Sequence, residues 1–299
     1  MDEWCLESAM PIELILLLLL AAVAHTAWNL LLKQSSQRHL ISWWALLLIG
    51  ALLLPIALWL EPDPARWMPI LPLLLLSAAF EAAYYWTLMS AYQKGDFGLV
   101  YPIARGTAPI WISLWAVIIL GERISSLGVV GIGLIVVGLV LVGSESLWRT
   151  RPDTAIHLSI SSVLLALSVS LFISLYSTLD ARAVRQISPL PYTVLVFFVG
   201  AILLAPLVLQ KFGWKTTLKS LQSDGWRILT VGVLTLTAYG LTLTVYRTGK
   251  LSYAGAVREI SIVLAAWMGW QFLGEQISLP RAVGAGVVFA GVVWLAILG

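Results

Sequence analysis

"LGERIS" at 120–125 returns as "LGEQIS" at 273–278, an offset of 153 in a chain of 299 residues. The glycines that follow agree at the same offset: Gly131, Gly133 and Gly138 answer to Gly284, Gly286 and Gly291. Upstream, "YQKG" at 92–95 recurs as "YRTG" at 246–249, offset by 154. Self-similarity at half the chain length means that one structural unit is used twice.

The unit is apolar. Hydrophobic residues make up 60% of the chain and charged ones 11%, with a mean hydropathy of +0.93, whereas a soluble domain carries about a quarter charged residues. Apolar windows of spanning length fall at 12–32, 40–60, 68–91, 97–120, 126–147, 156–180, 190–210, 225–246, 252–273 and 279–298. The connections between them are short and hold most of the charges, as in "KQSSQRH", "EPDPAR" and "WRTRPD". Ten windows in two like halves give five each. Five is odd, so the second half enters the bilayer inverted, the plan of many secondary transporters, whose solute site lies near the midplane between halves. The sequence therefore predicts an all-α membrane protein of ten transmembrane helices, built as two inverted five-helix repeats over 1–147 and 156–299. The leading segment carries Asp2, Glu3 and Glu7 with no Lys or Arg, which favours a retained first helix over a signal peptide.

The repeated turn has a local reading. Gly121 and Gly274 stand where apolar windows end, the place of a left-handed helix cap, and Ser125 and Ser278 precede the next helix as first-turn caps. Gly131 and Gly138 are seven residues apart and share a helix face, as do Gly284 and Gly291, which lets neighbouring helices approach closely. Glu122 and Glu275 read as solvated or capping.

With "GERIS" and "GEQIS" at the duplicated turn and "PIARGTAPI" at 102–110 in the fourth window, the whole chain resembles the EamA-type family of the drug/metabolite transporter superfamily. The second half departs from that pattern, since "GAVREISIV" at 255–263 lacks both prolines. The resemblance implies a multi-pass protein of the plasma membrane (a bacterial inner membrane) that exports small metabolites such as amino acids or amphipathic compounds, as a monomer or homodimer.

The charges well inside the windows are Glu81, Arg105, Arg258 and Glu259. Each costs about 2.5–3.5 kcal/mol at the bilayer centre on the insertion scale, so such residues mark functional sites by default. Arg105 and Arg258 coincide at the repeat offset of 153. Arg258 and Glu259 are consecutive and point about 100° apart, so each faces a different neighbour. Glu81 begins a face with Tyr84 and Tyr85 at i+3 and i+4, and Tyr85 projects onto Tyr239 in the second half. His25, Trp28 and Asn29 form one stripe of the first window; Ser170, Ser174, Ser177 and Tyr176, near Asp180, mark the sixth; Thr235, Tyr239 and Thr242 mark the eighth. Windows 1, 3, 6 and 8 are thus more polar inside than windows 2, 5, 7 and 10. Pro109 removes a donor to the Arg105 carbonyl and predicts a kink there.

These residues give a carrier of a small organic solute working by alternating access. Arg105 and Arg258 attract an anionic group, Trp28, Tyr84, Tyr85, Tyr176 and Tyr239 hold the apolar body, and Glu81, Glu259 and His25 are the groups that would couple transport to protons. An exchanger of phosphorylated metabolites is the alternative, although such sites recruit more than two deep basic residues. An enzyme lacks support: no Ser–His pair or histidine–carboxylate motif is found, and a channel lacks repeated filter residues. A single cysteine, Cys5, excludes an internal disulfide, and no metal-ligand cluster or cofactor motif occurs. No aromatic–basic interleaving points to nucleic acid; the implied partners are the solute and the lipid bilayer.

Orientation is drawn two ways. The odd-numbered connections hold ten Lys/Arg (Lys33, Arg38, Lys94, Arg149, Arg151, Lys211, Lys215, Lys219, Arg227, Arg281) and the even-numbered six (Arg66, Arg123, Arg182, Arg185, Arg247, Lys250). The positive-inside rule then places the termini outside, whereas the family resemblance places them in the cytoplasm.

Overall fold

The computed structural model describes residues 10–33, 35, 37–94, 97–149, 160–273 and 278–299, and among these it is helical with no strand. The helices are α1 (Ile12–Lys33), α2 (Arg38–Leu60), α3 (Pro64–Trp67), α4 (Leu71–Lys94), α5 (Phe97–Leu120), α6 (Ser126–Arg149), α7 (Ile160–Val184), α8 (Pro189–Phe212), α9 (Trp214–Ser223), α10 (Gly225–Thr248), α11 (Leu251–Val257), α12 (Ile260–Leu273) and α13 (Leu279–Leu298). Among the described residues, seven helices are long and apolar enough to cross a bilayer: α1, α2, α6, α7, α8, α10 and α13. Helix α4, helix α5 and the α11–α12 pair stand at the remaining three expected positions. Leucine, isoleucine, valine and tryptophan remain exposed along the outer faces, as on Leu16, Leu52, Ile118 and Val137, which is the surface of a multi-pass membrane protein.

Packing partners follow a two-fold pattern. Exchanging α1 with α7, α2 with α8, α4 with α10, α5 with the α11–α12 pair and α6 with α13 carries the main contacts onto one another. Thus α1 packs on α10 and α12 as α7 packs on α4 and α5, α2 packs on α10 as α8 packs on α4, and α2–α8 and α6–α13 pair with their own counterparts. The α6–α13 seam rests on the repeated glycines. A Cβ at Gly284 would lie 2.6 Å from the Val142 nitrogen and 2.7 Å from the Gly138 oxygen, and one at Gly138 would lie 2.6 Å from the Val288 nitrogen. Only hydrogen fits where two backbones approach that closely.

The duplicated turn behaves as its sequence predicts in the first half. Gly121 takes φ 68°, the Glu122 N–H closes back on the Ala116 carbonyl at 3.0 Å, and Ser125 Oγ accepts from the Gly128 N–H at 2.9 Å. In the second half Ser278 Oγ accepts from the Arg281 N–H; Gly274 and Glu275 lie outside the described residues. Glu122 is a cap, but of another element: its carboxylate accepts from the N–H groups of Leu251 and Ser252 and from Ser252 Oγ, at 2.6, 3.1 and 2.8 Å. It thereby ties the α5–α6 turn to the start of α11. Nearby, Arg185 reaches Glu122 at 3.5 Å, while buried Glu61 accepts from the N–H and hydroxyl of Ser188 and holds Arg66. The α2–α3, α5–α6, α7–α8 and α10–α11 connections are so joined at one end of the bundle.

Two expectations are corrected. The ninth window, 252–273, is two helices rather than one, broken at Arg258–Glu259: the N–H groups of Glu259, Ser261 and Ile262 bond to carbonyls three residues back, a tightened turn. Helix α5, which carries both prolines of "PIARGTAPI", runs as one helical element from Phe97 to Leu120, whereas its counterpart over 251–273, which has no proline, is interrupted. The lysine-rich connection after the seventh window is a helix in its own right, α9, set off from α8 by Gly213 at φ 74°.

Candidate functional site

Five long helices and the α11–α12 break turn side chains into one cavity of about 70 Å³, several times the room a single water needs. Helical spacing decides who faces it. Helix α10 contributes Thr235, Ala238, Tyr239 and Thr242 at i, i+3, i+4 and i+7, α4 contributes Glu81, Tyr84 and Tyr85, and α1 contributes Ala21, His25 and Trp28. Ile173 and Tyr176 enter from α7, Phe197 from α8, and Arg258 from the break.

The wall is largely aromatic. Tyr84 packs on Tyr85 and Tyr176 with ring centroids 5.1 and 5.9 Å apart, Tyr176 meets Tyr239 edge-on at 6.2 Å, and Tyr239 stacks on Phe197 at 5.5 Å. His25 and Trp28 meet edge to face at 5.0 Å. Offset and T-shaped contacts of this kind make a rigid apolar surface with polar tips.

Two buried carboxylates serve the cavity differently. Asp180, fully buried on α7, is saturated with donors: the hydroxyls of Ser77 on α4 and Tyr192 on α8 reach Oδ1, and that of Tyr239 on α10 reaches Oδ2. Four helices are pinned to one side chain. A buried carboxylate is tolerable only when donors replace its water, and three hydroxyls do so here. Glu81 sits one turn after Ser77 on α4 and is 7% exposed. Its Oε2 has no hydrogen-bond partner among the described residues, although it lies in the cavity wall. The same holds for the indole N–H of Trp28. The cavity thus presents one unanswered acceptor and one unanswered donor. Arg258 Nη1 points to the Tyr246 hydroxyl at 3.5 Å.

Of the residues selected from sequence, His25, Trp28, Glu81, Tyr84, Tyr85, Tyr176, Tyr239 and Arg258 surround this one cavity. Glu259 does not line it; it is fully buried just before α12. Arg105 stands in α5, and its side chain lies outside the described residues. Sequence reasoning named Asp180 only as a neighbour of Tyr176, without a role, and passed over Phe197. Asp180 closes the predicted sixth window, and α7 continues past it to Val184, leaving it fully buried. Its signal was Tyr176 at i−4, which already faced the interior. Nothing in "FFVG" distinguishes Phe197 from a lipid-facing phenylalanine.

Comparison with known proteins agrees with this architecture. A crystal structure with 16% sequence identity superposes with a TM-score of 0.76 over 97% of this chain and 98% of the other, which is a likeness of fold. In sequence, the chain is 24% identical over 252 residues to an uncharacterized transporter, YwfM, of Bacillus subtilis (strain 168), covering 82% of this chain and 80% of that protein. The profile of the EamA-like transporter family matches twice, over residues 13–144 and 160–297, and on that match the chain belongs to the EamA-like transporter family, within the drug/metabolite transporter superfamily.

Proposed function

We propose that this protein is a secondary transporter of a small organic solute, an exporter in the bacterial inner membrane. In this reading ten spans form two inverted five-helix halves, over 1–147 and 156–299, that rock about the central cavity. The observation that carries it is the cavity itself: polar and aromatic side chains from both halves of the chain converge on one point inside an apolar helix bundle, beside a helix interrupted at Arg258–Glu259. Interrupted helices at the meeting of two repeats are where carriers hold their solutes.

Arg258 takes an anionic group of the solute and Arg105 supports it, while Trp28, Tyr84, Tyr85, Tyr176 and Tyr239 hold the apolar part. Glu81 is the proton-sensitive group, because its unanswered oxygen faces the cavity; Glu259 and His25 are second to it. Amino acids and amphipathic compounds match an arginine facing a tyrosine wall.

The test is counterflow. Purified protein in proteoliposomes preloaded with a candidate amino acid takes up the radiolabelled form against its gradient, and Arg258→Gln abolishes this. Glu81→Gln keeps counterflow but ends accumulation driven by a pH gradient. Accumulation unchanged in Glu81→Gln removes Glu81 from coupling, and absence of counterflow across a panel of amino acids and amphipathic amines overturns the carrier reading for those solutes.

A further inference from the structure

Helix α9 lies apart from the cavity and carries a pattern that transport does not use. "WKTTLKSLQS" at 214–223 packs Thr217 and Ser220 inward, and the Thr217 carbonyl accepts from the indole of Trp44 at 2.9 Å. Its outer side has two edges. Trp214 and Leu218, 59% and 38% exposed, form an apolar one; Lys215 and Lys219, both exposed, form a basic one, about 100° further round the helix. Exposed Lys211 precedes the helix and Arg227 follows it, so four cations stand against one acid, Asp224, which Arg227 already holds at 2.7 Å. Trp226, 60% exposed, stands at the start of α10, and beyond it Leu229 and Val233 join the exposed apolar belt of the bundle. Helix α9 therefore sits where that belt ends, with an aromatic edge beside a lysine edge.

We infer that α9 is an interfacial helix whose Lys215–Lys219 edge docks the headgroups of anionic lipids while Trp214, Leu218 and Trp226 enter the acyl boundary. An aromatic edge beside a lysine edge is the pattern of an interfacial amphipathic helix, and charge selects the occupant: zwitterionic headgroups offer no net attraction to four cations, whereas each lysine near an anionic surface is worth roughly a fivefold preference.

Native mass spectrometry of the full-length protein in detergent, with equimolar phosphatidylglycerol and phosphatidylcholine of the same acyl chains, tests this. The wild type retains phosphatidylglycerol in preference, and the double variant Lys215→Gln/Lys219→Gln loses at least tenfold of that preference, while Trp214→Ala lowers total lipid retained without changing the ratio. Both lysines are exposed, so folding is checked simply by an unchanged elution volume and melting temperature. Added inorganic phosphate at millimolar concentration leaves the ratio unchanged. A wild type without headgroup preference, a double variant with the wild-type ratio, or displacement of phosphatidylglycerol by phosphate (a free-anion site instead) overturns the inference.

Discussion

Asp180 holds four helices through three hydroxyls, so its substitution and those of its donors have a defined order of severity. Tyr192→Phe or Tyr239→Phe removes one donor from a charged acceptor, costing about 1.5–3 kcal/mol. Asp180→Asn replaces an acceptor of three donors by a group that must donate, leaving buried hydroxyls unpaired, and costs about 3–5 kcal/mol. Because the donors share one carboxylate, Tyr239→Phe adds little in the Asp180→Asn background. Thermal unfolding of the four proteins in detergent checks both the order and the non-additivity; additive losses would mean that Tyr239 is held by something other than Asp180. This residue also shows why the site was only partly legible. Helix spacing alone grouped Glu81 with Tyr84 and Tyr85 and linked Tyr239 to them through the repeat. It placed Asp180 beside Tyr176 but gave it no role, because its three donors come from other helices.

Among elements, the α6–α13 seam and the start of α11 show what the repeated motif does. The glycines within it are not equivalent. Gly284→Ala places a methyl group against the Val142 nitrogen at 2.6 Å and the Gly138 oxygen at 2.7 Å, backbone atoms that cannot turn aside, so the helices must separate at a cost of about 1–3 kcal/mol. Gly133 and Gly286 share the sequence repeat, yet a Cβ at either meets nothing within 4 Å. Gly133→Ala and Gly286→Ala are therefore neutral or slightly stabilising, since alanine is the better helix former. Melting temperatures of the three variants separate packing glycines from incidental ones. The seven-residue spacing was legible in sequence because a helix repeats its face at that interval. The break at Arg258–Glu259 was not, because no proline falls anywhere in 251–273 to mark it.

At the scale of the whole molecule, one end of the bundle is held by buried carboxylates, and this bears on how it would open. At one end Glu61 grips Ser188, and Glu122 grips Leu251, Ser252 and Arg185, binding connections of the first half to connections of the second. If the halves rock about the central cavity, these carboxylate grips must release once in each cycle. The α6–α13 seam, where backbones touch, has no room to slide and in such a motion would be the pivot. Cross-linking distinguishes the two roles. On a Cys5→Ser background, Glu122→Cys with Ser252→Cys joined by a short bis-thiol reagent is expected to abolish solute counterflow, because Ser252 Oγ lies 2.8 Å from the Glu122 carboxylate and the link would hold that contact shut. A cross-link between α6 and α13 leaves counterflow within about twofold of the uncross-linked protein, as expected for a contact that persists through rigid-body rocking. The single variant Glu122→Gln keeps the acceptor oxygen but loses its charge. It weakens the grip by about 1 kcal/mol and shifts the resting protein towards the state open at that end, read as faster modification of a Ser177→Cys reporter between the grip and the cavity. Counterflow that survives the Glu122–Ser252 cross-link would move the gate to the opposite end and leave the grip a structural cap for α11.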